Sequence, residues 1–177
     1  HVIVSSDTDF HQLLAPNVVQ YNGIADELHT LEGILDKKGR LVIDKKTKEQ
    51  KLHEDPQYLL FLKCIRGDSS DNVFPAYPRA PEKGSKNRVG MREAFEDRHK
   101  MGYKWNNFML QRWVDHNGEE QIVRDCYLRN KTLIDLKAQP DDIKKSVDEV
   151  IKNNVRTTIT PQVGIHFMKF CGKYELV

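Results

Sequence analysis

The sequence has few cysteines and no long apolar run, and both absences exclude classes of protein. Three cysteines stand among 177 residues, and none lies in a Cys-x-x-Cys spacing. This excludes a disulfide framework and a cysteine zinc site, so we expect reduced, buried thiols at Cys64, Cys126 and Cys171. No stretch reaches the roughly 18 consecutive apolar residues of a membrane-spanning helix, and no signal-peptide pattern is present. We therefore expect a soluble, intracellular protein without a membrane partner.

Common catalytic motifs are also absent. The chain has no Walker A loop, no G-x-S-x-G elbow and no G-x-G-x-x-G after a predicted strand, which excludes the enzyme classes that depend on them. The histidines show no spacing, with each other or with cysteine, that is typical of a zinc site. We expect them to be surface or core residues: His11, His29, His53, His99, His116 and His166.

Charge of one sign is not in excess either. The 28 Lys and Arg residues against 26 Asp and Glu give a formal net charge of +2. Net charge alone therefore does not indicate a nucleic-acid partner, but phosphate contact needs only a local basic patch.

Two aspartates, Asp68 and Asp71, stand within the segment Gly67–Asn72, directly after a predicted helix. If Asp68 opens a helical turn, Asp71 lies on the same face about one turn later, so both carboxylates can contact one cation. Mg²⁺ prefers oxygen ligands and keeps several waters, which suits a site built from a few aspartates. The same residues are ordinary turn formers, so a solvated turn is the alternative interpretation.

A second acidic pair, Asp7 and Asp9, follows the apolar run Val2–Val4. Such a run is typical of a buried strand, and ligands of open α/β sheets bind outside the carboxyl ends of the strands. The two pairs then point to one place. We expect Asp7, Asp9, Asp68 and Asp71 to be both the metal ligands and the catalytic residues.

These segments resemble the acidic motifs of the phage 5′-nucleases, members of the flap endonuclease and 5′-3′ exonuclease family. Ser5–Phe10 is similar to the family's strand-end motif, and Ile65–Val73 is similar to its second acidic motif. Asn130–Leu136 and Pro140–Ile143 are similar to the C-terminal region of the T-even-phage RNase H branch. The resemblance covers residues 1–155.

The resemblance implies an α/β fold with two parts. Residues 1–72 would form the C-terminal part of a metal-dependent catalytic domain, with a partial PIN-like parallel sheet. Residues 73–177 would form a mainly helical C-terminal domain with helix-turn-helix-type duplex binding. Family members are considerably longer, so we expect this chain to be the C-terminal portion of such a nuclease, either a fragment or a truncated gene product.

The activity that the resemblance implies is phosphodiester hydrolysis by a 5′-3′ exonuclease or flap endonuclease with RNase H activity. Two Mg²⁺ ions, or Mn²⁺ in their place, would be bound by the four aspartates. The substrates would be branched or primed duplex DNA and RNA–DNA hybrid, during primer or flap removal in phage DNA replication. This places the protein in the cytoplasm of an infected bacterial host. The phage sliding clamp and single-strand-binding protein are expected partners, although no motif identifies either contact.

The segment after the second acidic pair departs from the family's glycine-rich helix-three-turn-helix sequence. Pro75, Pro78 and Pro81 rule out a continuous helix there, so the family's monovalent-ion site does not carry over. Five basic residues in this loop and at the start of the next helix are candidates for phosphate contact with DNA: Arg79, Lys83, Lys86, Arg88 and Arg92. A flexible surface loop is the alternative.

Hydrophobic periodicity and turn residues predict the remaining elements. We expect strands at residues 2–4 and 18–21 joined by a short helix at 9–14, and a hairpin of residues 31–35 and 41–44. A helix that Asp55 caps and Gly67 ends follows, with Leu59, Leu62, Cys64 and Ile65 in its buried stripe. Further helices are predicted at residues 91–99, 104–114, 120–128 and 140–151, and the tail 161–174 carries an apolar stripe that would pack on the body. Trp105, Phe108 and Trp113 share one helical face and are expected to be core residues.

Two other functions stay open. The chain could bind DNA without cleaving it, because the remaining ligands of the family's catalytic site belong to a portion that precedes these residues. It could also be a PIN-like ribonuclease or toxin, since those proteins also cluster aspartates at strand ends. The long helical region after Asp71 is unusual for that class.

Overall fold

A computed structural model describes residues 1–154 and 162–174. The chain forms two compact units, His1–Ala138 and Gln139–Val177. The boundary predicted between residues 72 and 73 therefore lies inside the first unit. The functional division that it marks stays a prediction.

A four-stranded sheet occupies the start of the first unit. Its strands are β1 (Val2–Val4), β2 (Val19–Asn22), β3 (Glu27–Thr30) and β4 (Gly33–Asp36), in that order across the sheet. β1 and β2 are parallel, as predicted, but β2–β3 and β3–β4 are antiparallel. The fold is thus mixed α/β, and the predicted parallel sheet is limited to one pair of strands. The links between the later strands are too short for the crossover that parallel pairing requires.

The connection between β1 and β2 contains the predicted short helix. It is a 3₁₀ helix, Thr8–Leu13, and the carboxylate of Asp7 caps it by accepting a hydrogen bond from the Asp9 backbone N–H at 2.9 Å. Leu14 follows it and is buried. The parallel pair with a helical connection confirms the predicted strand–helix–strand step.

The predicted hairpin is correct in its turn and wrong in its strands. Asp36 and Gly39 form the turn, where Gly39 has a φ of +73° and the Asp36 carboxylate accepts from the Arg40 backbone N–H. Regular pairing, however, joins β4 to β3 instead. Residues 41–44 contribute only isolated bridges, such as Leu35 with Leu41.

Helix α1 (Pro56–Arg66) has the ends that the sequence predicts. The Asp55 carboxylate accepts from the backbone N–H groups of Gln57 and Tyr58, Pro56 occupies the first turn, and Gly67 follows the last residue. The buried face differs in part from the prediction. It consists of Tyr58, Phe61 and the predicted Cys64 and Ile65. The predicted Leu59 and Leu62 are half-buried on the wall of a groove, and Leu62 also packs against the core.

The rest of the first unit is helical apart from one hairpin. Its helices are α2 (Met91–Glu96), α3 (Tyr103–Met109) and α4 (Val123–Ile134), and its strands are β5 (Arg112–Val114) and β6 (Glu120–Ile122). The helices predicted at 104–114 and 120–128 are therefore wrong over residues 110–122. The Asn117-Gly118 turn, which the Asp115 carboxylate caps by accepting from the backbone N–H groups of Asn117 and Glu119, pairs the flanking residues as strands instead.

One core holds the first unit together. Tyr58, Phe61 and Ile65 of α1 pack with residues of α2, α3 and α4, including Phe95 and Phe108. Trp105 and Trp113 pack against this core, as predicted, although Trp113 lies on β5 and not on a helix. Because this core draws on residues before and after position 72, the predicted boundary does not separate two cores within the first unit.

Buried Asn130 of α4 connects that helix to both ends of the acidic segment. Its side-chain amide donates to the carbonyl oxygens of Cys64, at 2.9 Å, and Phe74, at 2.7 Å. Replacing Asn130 with alanine leaves two carbonyls without a donor, so we expect the free energy of unfolding to fall by about 2–3 kcal/mol. Urea unfolding measures this change. Exposed Asn153→Ala is the control and should change it by less than about 0.5 kcal/mol, and an equal loss in both variants would contradict the assignment.

The second unit contains α5 (Asp141–Asn154) and α6 (Val163–Lys173). α5 agrees with the helix predicted at 140–151, and Pro161 of the predicted tail lies outside the described residues. Val163, Phe167 and Phe170 of the predicted stripe lie on α6 and are half or more exposed, and their packing on the body stays a prediction. Among those residues, no helix is long and apolar enough to cross a membrane.

Candidate metal centre

Three of the four predicted ligands meet at one place. Asp9 comes from the 3₁₀ helix after β1, and Asp68 and Asp71 come from the segment that follows α1. Each of the three offers a carboxylate oxygen, and these oxygens lie within 4.8 Å of one another. We call these residues the carboxylate cluster. Two segments about 60 residues apart in sequence thus converge, as the paired motifs predict.

The local geometry that produces this convergence differs from the predicted helical turn. Asp68 and Val73 exchange two backbone hydrogen bonds, of 2.8 and 2.7 Å, and so close the loop between them. Asn72 takes a left-handed conformation with a φ of +56°, which asparagine tolerates better than most residues. A closed loop, not a helix face, therefore brings Asp71 near Asp68.

Gly67 makes the entry to this loop possible. Its φ is +75°, and a Cβ at this position would overlap backbone atoms of Val73, Phe74 and Pro75. Glycine is therefore required both by the dihedral angle and by the close approach of the chain.

Lys63 lies between two members of the carboxylate cluster. Its Nζ contacts Asp9 Oδ1 and lies 2.6 Å from Asp68 Oδ2, with about a quarter of the side chain exposed. The hydrogen bond from Lys63, with two from Ser70, holds the pKa of Asp68 well below its ordinary value. For Lys63 itself, burial lowers the pKa, but the hydrogen bonds to Asp68 and Asp9 outweigh it and the pKa is raised. Lys63 thus compensates the negative charge that three adjacent carboxylates accumulate.

Sequence reasoning did not identify Lys63. The available signal was its place in the last turn of α1, four residues before Gly67. Lys63 is not on the buried face of that helix, so its side chain can reach the loop that follows. A positive residue one turn before a paired-aspartate loop could be recognised in this way.

Asp7 has a different position from the other three aspartates. It is exposed, and its carboxylate accepts the hydrogen bond that caps the 3₁₀ helix. The structure does not include it in the carboxylate cluster. Its role as a ligand stays a prediction, and its observed contribution is to position Asp9.

The donor set fits a hard divalent cation. Carboxylate oxygens are the ligands that Mg²⁺ and Mn²⁺ prefer, and Asp71 has no hydrogen bond or ion pair with any described residue. A groove beside the cluster is lined by Asp9, Lys63 and Arg66 over an apolar wall that includes Leu59 and Leu62. Positive charge beside carboxylates in a groove is the arrangement in which a phosphate ester and a cation can be held together.

Replacing Lys63 with methionine should make the fold more sensitive to divalent metal. Without the ammonium group Asp9 and Asp68 repel each other, so we expect the melting temperature in chelator to fall by about 2–4 °C, the effect of roughly 1 kcal/mol in a chain of this size. Millimolar Mg²⁺ should raise the melting temperature of wild type, and raise that of Lys63→Met by more.

Circular dichroism melts with and without Mg²⁺ measure both effects. Lys37→Met, which removes an exposed lysine from the turn after β4, is the control. An equal response to Mg²⁺ in Lys63→Met and wild type would count against a shared cation site.

The basic residues predicted to contact DNA divide into two groups. Arg88 donates to the Tyr77 hydroxyl at 2.8 Å, and Arg92 donates to the Glu54 carboxylate and stacks on Tyr58. These two arginines are therefore engaged within the fold. Arg79, Lys83 and Lys86 are exposed and have no ion pair with any described residue.

The basic loop lies within residues 67–90, which contain no helix, as the prolines predict. Helix α2 begins directly after residue 90. All five basic residues stay predicted contacts, and the exposed group is the better placed for phosphate.

Three histidines meet in space although the sequence shows no zinc-type spacing among them. His11, His29 and His53 each offer a ring nitrogen, and these nitrogens lie within 4.8 Å of one another. Burial lowers the pKa of each, and burial with the neighbouring imidazoles lowers that of His53 to about 4. The 3₁₀ helix, β3 and the segment before α1 bring them together, so no local spacing could reveal the group.

Comparisons with known proteins give a similarity to solved structures. No protein-family model matches the chain, and no curated protein matches it in sequence. Among solved structures, a T5 5′-exonuclease mutant is similar with a TM-score of 0.45 and 16% sequence identity over 85% of this chain. The chain spans 57% of the length of that exonuclease. A TM-score this low does not establish a common function.

Proposed function

We propose that the chain is a portion of a metal-dependent 5′-3′ exonuclease or flap endonuclease with RNase H activity on RNA–DNA hybrids. The observation that carries the proposal is the convergence of Asp9, Asp68 and Asp71, from two separate segments, at a groove that also holds Lys63 and Arg66. The resemblance of both acidic segments to phage 5′-nuclease motifs supports the choice of this reaction over other uses of a carboxylate site.

In this proposal each residue has a distinct part. Asp9, Asp68 and Asp71 hold the divalent cations, two Mg²⁺ ions or Mn²⁺ in their place, with Asp7 as a further ligand directly or through water. Bound cations would lower the pKa of the attacking water and stabilise the leaving oxygen. Lys63 and Arg66 supply positive charge in the groove where the phosphate diester would lie.

The substrate and setting follow from the same proposal. Branched or primed duplex DNA and RNA–DNA hybrid are the substrates, in removal of primers or flaps during phage DNA replication in the host cytoplasm. Arg79, Lys83 and Lys86 contact duplex phosphates, and the sliding clamp and single-strand-binding protein are the proposed partners. The helical region that follows position 72 would be the duplex-binding part.

A second candidate is duplex binding without cleavage by this chain. Lys63 already compensates two of the three carboxylates, so the cluster is stable without metal. The described residues also bring together three carboxylates where two cations require a larger oxygen set. The chain would then bind a branched DNA substrate, and cleavage of that substrate would need further metal ligands.

One experiment separates these candidates. The chain is incubated with a 5′-labelled forked DNA duplex, with an RNA-primed duplex and with a free single-stranded RNA, in Mg²⁺ or in chelator, and binding and cleavage are followed in parallel. Mg²⁺-dependent release of short labelled products supports the nuclease, and salt-dependent binding without products supports the second candidate. Cleavage confined to free single-stranded RNA would overturn both in favour of a PIN-like ribonuclease.

A further inference from the structure

Three histidines, one of them on the inner strand β3, form a compact group, which we call the histidine cluster: His11, His29 and His53. The ring centroids of His11 lie 4.9 Å from His29 and 4.5 Å from His53, and those of His29 and His53 are 5.0 Å apart. His29 Nδ1 and His53 Nε2 are 2.9 Å apart. Three imidazoles in mutual contact are therefore fixed by three separate segments of the chain.

Hydrogen bonding within this group leaves one nitrogen unsatisfied. His29 is 7% exposed, and its Nε2 has no hydrogen-bond partner among the described residues. The single bond between His29 and His53 requires one ring to donate and the other to accept, whichever tautomers are present. Either arrangement leaves Nε2 of His29 buried without a partner, which is costly for a polar atom.

Coordination of a cation by the three rings is compatible with this arrangement. Three imidazole nitrogens can bind one ion at once, and the other nitrogen of a metal-bound histidine usually donates to a carboxylate. Glu27 stands two residues before His29 on β3, with its Oε2 3.8 Å from His29 Nε2. With the ion on Nδ1, the Nε2–H of His29 faces this carboxylate.

The dimensions are close to those of a tetrahedral metal site. Two nitrogens bound to Zn²⁺ at about 2.0–2.1 Å lie about 3.3 Å apart. The nitrogens of the histidine cluster lie between 2.9 and 4.8 Å apart. Small rotations of His11 and His53, both half-buried, reach the required separation without movement of the strands.

We propose that His11, His29 and His53 bind a borderline transition-metal ion such as Zn²⁺. Imidazole suits zinc, cobalt and nickel, whereas Mg²⁺ prefers oxygen, so this site and the carboxylate cluster select different cations. The bound ion cross-links three segments: the 3₁₀ helix, which carries Asp9, strand β3 and the segment before α1. Three protein ligands leave a fourth position of the ion for water.

Metal titration of the full chain tests the proposal. Co²⁺, which absorbs visible light strongly when tetrahedral, and Zn²⁺, followed by calorimetry, are each added to wild type and to His29→Gln and His11→Gln. We expect one equivalent of metal to bind to wild type and each variant to lose more than about 100-fold in affinity. Removing a residue that only hydrogen-bonds to a metal ligand already costs about 10–100-fold in affinity, and these variants remove a ligand itself. Zn²⁺ should also raise the melting temperature of wild type but not of the variants.

Controls make the outcome decisive. Exposed His99→Gln should bind like wild type, and Asp71→Asn should retain Zn²⁺ binding, which separates this site from the carboxylate cluster. If His29→Gln fails to fold, half-buried His11→Gln decides the test. Equal Zn²⁺ affinity in wild type and His11→Gln, or no stoichiometric binding by wild type, would overturn the proposal, and neither result depends on nuclease activity.

Discussion

Replacing Asp71 with asparagine is expected to lower Mg²⁺-dependent cleavage by about 100-fold or more, the scale of loss when one preorganised electrostatic group is removed. The substitution keeps the size and shape of the side chain and removes one negative charge from the carboxylate cluster. Asp71 has no hydrogen bond or ion pair with any other described residue. Its loss should therefore reduce cation binding without weakening the fold.

The measurement is the initial rate on a 5′-labelled forked duplex over a range of Mg²⁺ concentrations. Asp68→Asn should lose activity similarly, but it also weakens the contacts to Lys63 and Ser70, so its melting temperature should fall. Asp125→Asn, an exposed residue of α4, is the matched control and should cleave like wild type. Full activity of Asp71→Asn at every Mg²⁺ concentration would remove the carboxylate cluster from the reaction.

Replacing Gly67 with alanine is expected to lower the free energy of unfolding by about 3 kcal/mol. The φ of +75° disfavours any residue with a Cβ, and the added atom would lie 2.7 Å from the Phe74 carbonyl carbon and closer still to the Val73 carbonyl oxygen. Both obstacles are backbone, which cannot rotate aside. The loop must therefore shift, and it carries Asp68 and Asp71 with it.

A second glycine separates the steric part of this effect from the dihedral part. Gly118 has a φ of +83°, and a Cβ there would meet no atom within 4 Å. Gly118→Ala should cost only about 1 kcal/mol, the penalty of the left-handed conformation. Urea unfolding of both variants gives the comparison. Equal losses would show that the close approach at Gly67 has no energetic weight.

The sequence predicts elements best where their signals are local. Asp55, Pro56 and Gly67 mark both ends of α1, and the prolines after Val73 exclude a helix there, because capping and ring constraints act within a few residues. The hairpin of residues 110–122 was missed because its apolar residues also fit helical spacing. In this segment the turn from Asp115 to Gly118 makes the flanking residues pair as strands instead of forming helices.

The candidate site was predictable only in part, for a related reason. The place of Asp9 follows from the rule that ligands bind at the ends of strands, whereas Asp68 follows helix α1 and that rule does not place it. The closed loop from Asp68 to Val73, the intervening Lys63 and the histidine cluster depend on contacts across tens of residues. Such contacts are fixed by tertiary packing, and no spacing in the sequence encodes them.

Helix α1 has a consequence for motion at the candidate site. Its face with Tyr58 and Phe61 lies in the core, and its last turn holds Lys63 and leads directly into Asp68. Amide hydrogens of core helices exchange with solvent only through large-scale opening, whereas exposed loops exchange through local fluctuation. Lys63 thus belongs to the slow-exchanging part of the chain, whereas the exposed loop that carries Asp71 exchanges through local fluctuation.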